Sequence, residues 1–320
     1  MNKSPVRFSS LLDNDFYKFT MQNGVIKLFP KAKARYEFIN RGKHVFPEGF
    51  GKALRQSVDA MAGLKLNMDE KHYLATTCPY LDPTYLDFLQ GYCYNPEEVR
   101  IEQTGGDLQI FIEGYWYRSI LWEIPLLALV SELYYKLRGD KRNNDETVIN
   151  TTKAKIENYS RLGVTVAEFG TRRRHSYDVH KLVVQALKNY GGASFVGSSN
   201  VHFAMVNGVK PIGTHAHEWF MFHAAQNGFK MANSSALENW VKVYRGDLGI
   251  ALSDTYTSKV FHKQFDRMFA KLFDGVRHDS GDALEFAGQT IQHYRSLSID
   301  PQSKTIIFSD ALNYEKVERI

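Results

Sequence analysis

Short apolar runs alternate with amphipathic stretches along the second half of the chain, from about residue 164 onward. The runs are Val164–Phe169, Ala193–Gly197, Pro211–Thr214, Leu248–Leu252, Gly275–Val276 and Lys304–Phe308. Between them, apolar residues recur at helical spacing. This spacing predicts two apolar helix faces, one formed by Phe261, Phe265, Met268, Phe269 and Leu272 and one by Ala283, Ala287, Ile291 and Tyr294. Repeated strand–helix units predict a parallel sheet, either doubly wound or closed as a barrel.

The first 120 residues have a different rhythm, in which short strand patterns mix with helical stretches. Alternation predicts strands over Ala34–Asn40, Val99–Thr104 and Leu108–Glu113. The segment Gly105-Gly106-Asp107 predicts a hairpin turn between the last two strands. Trp122–Leu137 then has the pattern of a helix, and it leads into the regular second half.

Composition places the chain among folded proteins rather than disordered ones. Of its 320 residues 43% are hydrophobic and 13% aromatic, which is enough for a sizeable core. The formal charge is +5, from 40 basic and 35 acidic residues, and this mild excess suits an anionic small substrate as well as an ordinary surface. Because no long basic run is present, we do not expect a nucleic-acid partner.

The sequence also argues against secretion and membrane insertion. The N-terminus has no apolar signal segment, and the longest apolar stretch, Ile124–Val130, is far short of the roughly 20 residues that a membrane helix needs. Only two cysteines, Cys78 and Cys93, are present, which argues against a disulfide framework. We therefore expect a cytoplasmic protein with no membrane partner.

Polar and ionisable residues follow each of the six apolar runs. They are Glu168–Arg174, Ser198-Ser199-Asn200, His215 and His217, Ser253-Asp254, Arg277–Ser280 and Ser309-Asp310. In strand–helix architectures the carboxyl ends of the strands build the active site. Serine, aspartate and asparagine also cap helices, but arginine and histidine do not, so capping does not explain the whole set. We expect an active site at these strand ends.

The side chains at the strand ends suit a phosphorylated sugar and a magnesium ion. Arginines bind phosphate or carboxylate, aspartates bind Mg²⁺ or ribose hydroxyls, and histidine can act as a base, an acid or a phosphoryl acceptor. Structural roles stay open: the arginines as a solvated patch, the aspartates as helix caps, the histidines as a buried pair. The candidates are Arg172, Arg173, Arg174, His215, His217, Asp254, Arg277, Asp279 and Asp310.

The pair His215-x-His217 also permits a different class of protein, a barrel hydrolase that holds a zinc-type ion. Two histidines placed two residues apart on a strand face the same way, as such a site requires. This interpretation gives the arginines no role, and only His278 offers a further histidine at another strand end.

Five segments resemble motifs of nicotinate phosphoribosyltransferases, and they follow one another in that family's order between residue 11 and about residue 313. They are Leu11–Lys18 with Met21-Gln22, Ile120–Leu127, Glu168–Arg174, Gly213–Trp219 and Arg277–Asp282. One such match could arise by chance, whereas five in order are specific to the family.

The resemblance implies an α/β fold of the type II phosphoribosyltransferase kind. An N-terminal α/β domain would occupy residues 1–120, and an irregular (β/α) barrel would occupy residues 121–320. Members of that family continue for several dozen residues beyond the strand that ends before Asp310, so we expect the barrel to lack its C-terminal part. The resemblance also implies a homodimer whose active site uses both chains.

The implied reaction converts nicotinate, phosphoribosyl pyrophosphate, ATP and water to nicotinate mononucleotide, pyrophosphate, ADP and phosphate. This is the first step of NAD synthesis from nicotinate. The resemblance implies Mg²⁺ as cofactor and ATP as co-substrate. A nicotinamide phosphoribosyltransferase would carry similar aromatic and arginine residues and is the alternative within this neighbourhood.

The resemblance also assigns catalytic and metal-binding roles. His217 matches the histidine that ATP phosphorylates. Asp254 and Asp279 match positions near the ribose, the phosphates and Mg²⁺, which they would bind partly through water. His215 stands where members of the family commonly carry other residues, so we leave it outside the catalytic set.

The remaining matches concern substrate binding. Tyr17 matches the aromatic residue that reaches in from the partner subunit, and Phe169 matches the one on the other side of the pyridine ring. Arg277 matches the arginine near the pyridine carboxylate. Further candidates are Arg172 for the phosphates, with Arg174 as a second phosphate-contacting arginine, and Ser198, Asn200 and Asp310 at their strand ends.

Overall fold

The computed structural model describes Val6 and residues 8–320. The described residues up to Ile212 form one compact unit, and Gly213–Ile320 form a second. The domain boundary predicted near residue 120 lies inside the first unit and stays a prediction. Across this described part of the chain, every helix is too short or too polar to cross a lipid bilayer.

The first unit combines helices with an antiparallel sheet and a parallel strand pair. Its core contains the fully buried side chains of Phe16, Phe19, Trp122 and Leu129. The elements are α1 (Phe16–Leu28), β1 (Lys33–Glu37), α2 (Phe50–Ala60), α3 (Met68–Thr77), α4 (Pro83–Gly91), β2 (Val99–Thr104), β3 (Asp107–Tyr115), α5 (Trp116–Ser119), α6 (Glu123–Arg138), α7 (Asp145–Arg161), β4 (Val166–Glu168), α8 (Tyr177–Gly191), β5 (Phe195–Ser198) and α9 (Val201–Asn207).

The antiparallel sheet has the strand order β1-β3-β2. The predicted hairpin is confirmed, because Thr104 pairs with Asp107 across a turn in which Gly105 has a φ of +57°. Every second residue of β3 is buried through Ile112, which matches the alternation that predicted the strand. Strand β1 ends at Glu37, three residues before the predicted end.

Helix α6 begins one residue after the predicted start and ends at Arg138, followed by Gly139, whose φ of +71° suits a helix C-terminus. Pro125 lies in its first turn, where a missing N–H costs no hydrogen bond. Most of the apolar residues of α6 are buried. The helix therefore forms part of the core of the first unit.

Strands β4 and β5 pair in parallel, and the third predicted run does not continue their sheet as a strand. Only Pro211 pairs with Ser198, and the Ile212 N–H then donates to the Ser198 carbonyl at 2.9 Å. The prediction of a strand over Pro211–Thr214 was therefore wrong. The bridge uses the Lys210 carbonyl and the Ile212 N–H, and the pairing ends after Ile212, where Gly213 has a φ of +152°. The next helix of the chain is α10 (His217–Asn227).

The second unit is built on a parallel sheet of order β6-β7-β8. The strands lie so close at Gly275 that a Cβ on this residue would approach the Thr305 carbonyl oxygen to 2.0 Å. After α10, its elements are α11 (Ala232–Tyr244), β6 (Ile250–Leu252), α12 (Ser258–Gln264), α13 (Arg267–Leu272), β7 (Gly275–His278), α14 (Ala283–Ser296), β8 (Thr305–Phe308) and α15 (Tyr314–Arg319).

The predicted helix face from Phe261 to Leu272 is divided between α12 and α13. Asp266 interrupts it, because its side chain accepts the Phe269 N–H at 3.0 Å and begins a new helix there. Phe261 and Phe269 are buried as predicted, but Met268 is 53% exposed, so the prediction of a single apolar face was wrong.

Candidate active site

The N-terminal motif lies along the end of β5 in the first unit. The Phe16 N–H donates to the Ser199 carbonyl at 2.7 Å, and the Val201 N–H donates to the Asn14 carbonyl at 3.0 Å. Helix α1 begins directly after this pairing, so Tyr17 occupies its second position and is 8% exposed. The motif thus places the predicted aromatic residue beside the carboxyl end of a parallel strand.

A buried charged group ties this motif to the end of β4. The Arg174 guanidinium donates to both oxygens of Asp13, at 2.7 and 3.0 Å, and its Nε donates to Glu132 at 2.6 Å. Burial alone would raise the pKa of Asp13, but the charge and hydrogen bonds of Arg174 and the hydrogen bond from Asn200 together outweigh it, and the pKa is lowered. Because Arg174 is 5% exposed and held by two carboxylates, its prediction as a phosphate ligand has no support here.

Arg172 differs from Arg174 although only two residues separate them. Its side chain is 45% exposed and lies 3.6 Å from Glu123 Oε1. The other oxygen of Glu123 pairs with Lys18, whose side chain is fully buried. Arg173 is exposed as well, so Arg172 and Arg173 are the arginines of this turn whose guanidinium groups can meet an anion at the surface.

Ser198 and Asn200, both predicted to bind substrate, are fully buried within the first unit. Ser198 Oγ donates to Glu168 at 2.5 Å, and Asn200 Nδ2 donates to Asp13 at 2.7 Å. Asn200 also caps α9 through its side-chain oxygen. Their observed contacts are internal, and a direct contact with substrate stays a prediction.

Phe169, unlike Ser198 and Asn200, is accessible to solvent. It follows β4 directly and is 47% exposed. Glu168 before it is buried, and its carboxylate bonds to His180 Nε2 at 2.8 Å. An exposed aromatic ring on a well-anchored strand end suits stacking against a flat ring.

In the second unit, His217 begins helix α10 and contacts two strand ends. Its Nδ1 lies 3.0 Å from Thr255 Oγ1, beyond β6, and its Nε2 lies 3.1 Å from Asp279 Oδ2, beyond β7. The side chain of His217 is 40% exposed. The imidazole is thus held at both nitrogens while one face stays open to solvent.

Asp279 is the centre of this group. Its Oδ2 also accepts from Arg277 at 3.4 Å, and its Oδ1 accepts from Ser309, beyond β8, at 2.5 Å. Burial alone would raise the pKa of Asp279, but the hydrogen bond with His217, the positive charge of Arg277 and the hydrogen bond from Ser309 together lower it well below its usual range. The carboxylate is ionised and joins the ends of three structural elements.

Asp254 follows β6 and is linked to the next strand end by a hydrogen bond from Ser280. Its other oxygen, Oδ1, is buried and has no hydrogen-bond partner among the described residues. Such an oxygen fits the chemistry of Mg²⁺, a hard cation that binds one or two carboxylates and keeps several waters. Asp310 follows Ser309 beyond β8 and is half-buried.

The two histidines of His215-x-His217 do not share a strand face. His215 is fully buried, accepts the Leu252 N–H at 3.2 Å and packs edge-on against Trp240. Burial holds its pKa well below the usual value. The geometry expected for a barrel metallohydrolase is therefore contradicted at this pair, and a structural role for His215 is supported instead.

Three buried carboxylates were not predicted as partners of other side chains. They are Asp13 and Glu132, which bind Arg174, and Glu168, which binds His180. One clue was available for Glu132, a carboxylate within the apolar stretch of the helix predicted over Trp122–Leu137. A charge in such a place needs a buried partner. Nothing in the sequence indicated that this partner would be Arg174.

Arginines, aspartates and a histidine–carboxylate pair lie at or near the ends of the parallel strands of this α/β chain. Such a set of side chains is typical of enzymes that act on phosphorylated substrates. A model of the nicotinate phosphoribosyltransferase (NAPRTase) N-terminal domain matches residues 12–131, and one of the nicotinate phosphoribosyltransferase (NAPRTase) family matches residues 164–320. The chain belongs to the nicotinate phosphoribosyltransferase family.

Curated relatives and solved structures agree with this assignment. A nicotinate phosphoribosyltransferase of Chromohalobacter salexigens is 66% identical over 311 residues, which cover 97% of this chain and 80% of the relative. One from Desulforapulum autotrophicum is 47% identical, with coverage of 97% and 80%.

A crystal structure of the Porphyromonas gingivalis nicotinate phosphoribosyltransferase matches with a TM-score of 0.94 at 44% identity, covering 98% of this chain and 80% of that one. A putative nicotinate phosphoribosyltransferase from Saccharomyces cerevisiae matches with a TM-score of 0.92 at 33% identity, covering 99% and 80%. These likenesses confirm the predicted α/β fold class, that of type II phosphoribosyltransferases.

Proposed function

We propose that this chain joins nicotinate to phosphoribosyl pyrophosphate and couples the synthesis of nicotinate mononucleotide to ATP hydrolysis. The 66% identity to a nicotinate phosphoribosyltransferase over nearly the whole chain supports the substrates. The observation that carries the coupling is the imidazole of His217, held between Thr255 and the ionised carboxylate of Asp279.

The hydrogen-bond partners of His217 assign its two nitrogens different roles. Asp279 accepts from Nε2–H, which leaves the lone pair on Nδ1, where the Thr255 hydroxyl donates. Nδ1 is then the nucleophile that forms an N–P bond with the γ-phosphate of ATP while the bond to ADP breaks. Water later cleaves the N–P bond and releases phosphate.

Transfer of the phosphoribosyl group needs no general base, because the ring nitrogen of nicotinate carries its own lone pair. Positive charge develops at the anomeric carbon as pyrophosphate departs, so the residues of the site must stabilise an anionic leaving group. Arg172 would bind the phosphates through its exposed guanidinium. Asp310 would bind the ribose or phosphate groups, and Ser198 and Asn200 are proposed substrate-binding residues.

Asp254 and Asp279 would hold Mg²⁺, partly through water. The buried Oδ1 of Asp254, which has no hydrogen-bond partner among the described residues, supports this assignment. When bound, the ion would neutralise charge on the pyrophosphate.

The pyridine ring would lie between two aromatic side chains, Phe169 and the partner subunit's copy of Tyr17. Arg277 would pair with the nicotinate carboxylate. Its cationic guanidinium lies beside Asp279 and can also attract the carboxylate of the substrate. This arrangement requires a homodimer.

A cytoplasmic location and the domain division at residue 120 belong to the same proposal.

A competition between nicotinate and nicotinamide tests the substrate. Purified protein is given phosphoribosyl pyrophosphate, Mg²⁺, ATP and equal concentrations of the two pyridines, and both mononucleotides are quantified. We expect nicotinate mononucleotide as the main product. A preference for nicotinamide would overturn the proposal, and so would a reaction that yields neither mononucleotide.

A further inference from the structure

The carboxylate of Glu168 bonds to three neighbours although the proposed reaction gives it no role. It is the last residue of β4 and is 8% exposed. Its Oε1 accepts from the Gly170 N–H and bonds to His180 Nε2 at 2.8 Å, and its Oε2 accepts from Ser198 Oγ at 2.5 Å. This set of bonds, which we call the Glu168 clamp, joins the ends of β4 and β5 to helix α8.

Gly170 supplies a second, independent indication that this geometry matters. A Cβ placed on it would lie 2.6 Å from Glu168 Oε1, closer than real Cβ contacts come. Its φ of −88° is open to any residue, so the backbone conformation does not require glycine. Glycine instead leaves the space that the folded-back carboxylate of Glu168 occupies.

Phe169 lies between Glu168 and Gly170, two residues that the clamp joins. The Ser199 N–H donates to the Glu168 carbonyl at 2.7 Å on one side, and the Gly170 N–H is bound by the Glu168 carboxylate on the other. The peptide units that flank Phe169 are therefore fixed, while its ring is 47% exposed. These bonds fix the backbone from which the ring extends.

We propose that Glu168 is a positioning residue that acts through its bonds to Gly170, His180 and Ser198 to hold the Phe169 ring ready for a planar heteroaromatic substrate. The inference rests on the proposed function, in which Phe169 stacks on the pyridine. A ring that is already in place loses little freedom when the substrate binds, and this preorganisation strengthens binding.

Glu168→Gln tests the clamp with almost no change in shape. A carboxylate accepts at both oxygens, whereas the amide has one accepting oxygen and one donating nitrogen, so either the bond from the Gly170 N–H is lost or the bond with Ser198 is reversed. We expect the KM for nicotinate to rise roughly 2- to 12-fold, the range that ordering one side chain costs. The KM for phosphoribosyl pyrophosphate and kcat should change much less, because the loss concerns binding of one substrate.

A matched control and a second variant separate positioning from general damage. Glu146→Gln makes the same chemical change at an exposed position in the first turn of α7 and should leave both KM values unchanged. Gly170→Ala displaces the same carboxylate from the other side and should reproduce the rise in the KM for nicotinate, even if Glu168→Gln fails to fold.

The decisive comparison repeats Glu168→Gln in a Phe169→Ala background. If the carboxylate acts through the ring, the substitution loses its effect on nicotinate once the ring is absent. An equal effect in both backgrounds would overturn the inference, as would an equal rise in both KM values. Wild-type protein that makes no nicotinate mononucleotide would refute the proposed function, whereas an active wild type and an unaffected Glu168→Gln would refute only the role of the clamp.

Discussion

Arg172 and Arg174 stand two residues apart, yet their substitutions should have opposite consequences. Replacing Arg174 by methionine removes the partner of two buried carboxylates, Asp13 and Glu132. We expect this variant to lose stability. Replacing Arg172 by methionine removes a side chain that is 45% exposed, and we expect it to lose affinity for phosphate instead.

The magnitude follows from the burial of the group. Arg174 is 2% exposed in its side chain, Asp13 is 0% exposed and Glu132 is 7% exposed. Removing one partner of a buried ion pair typically costs about 3–5 kcal/mol, because the remaining charge is left without compensation. At roughly 2–4 °C per kcal/mol, the melting temperature should fall by about 6–20 °C. A surface substitution such as Arg172→Met should change stability by less than about 0.5 kcal/mol.

Thermal unfolding followed by circular dichroism, together with steady-state kinetics, measures both effects. Arg174→Met should melt early, whereas Arg172→Met should melt with the wild type but show a raised KM for phosphoribosyl pyrophosphate. An Arg174→Met variant as stable as the wild type would refute the structural role of the buried arginine. So would an Arg172→Met variant that is the less stable of the two.

Three further variants test other parts of the account. Glu123→Gln removes the anionic partner of the fully buried Lys18 and should lower the free energy of unfolding by roughly 3 kcal/mol in urea denaturation; an unchanged value would contradict the pairing. Asp279→Asn removes the charged partner of His217 and should slow labelling by ATP roughly 10- to 150-fold; labelling at the wild-type rate would contradict the proposed role of the carboxylate. Burial lowers the pKa of His262 from 6.5 to about 4, so the unfolded chain binds more protons between these values. Stability should therefore fall as the pH is lowered through that window, and His262→Leu should weaken the dependence; the same pH slope in both proteins would contradict this.

Much of the fold could be predicted because strand ends carry a strong local pattern. The polar segments lie at or directly beyond the ends of β4 to β8, as Glu168 at the end of β4 and Asp279 after β7 illustrate. The hairpin at Gly105 was equally clear. These features depend on a few adjacent residues, and the sequence displays such residues directly.

The errors arose where a single side chain or contact overrode a periodic pattern. Asp266 divided a helix that spacing alone predicted as continuous, because its side chain caps the next helix. The third predicted run formed one bridge, at Pro211, and its pairing ended before Gly213, whose φ is +152°. Local apolar spacing carries no information about such interruptions.

The buried partners could not be predicted because they are distant along the chain. Asp13 and Arg174 are 161 residues apart, and the adjacent arginines gave no indication which one would be buried. Ser198 and Asn200 were predicted as substrate-binding residues from their place at a strand end, which gave no indication of their internal bonds to Glu168 and Asp13. Position after a strand predicts proximity to a site, whereas burial decides whether the side chain can reach it.

In the proposed function, His217 takes a phosphoryl group from ATP and thereby couples ATP hydrolysis to synthesis. The most direct measurement compares nicotinate mononucleotide formation with and without ATP in the wild type and in His217→Ala, while γ-labelled ATP reports phosphorylation of the protein. We expect an acid-labile label and ATP stimulation in the wild type, and in the variant only slow, ATP-independent synthesis without label. Equal ATP stimulation of both proteins would contradict the claim.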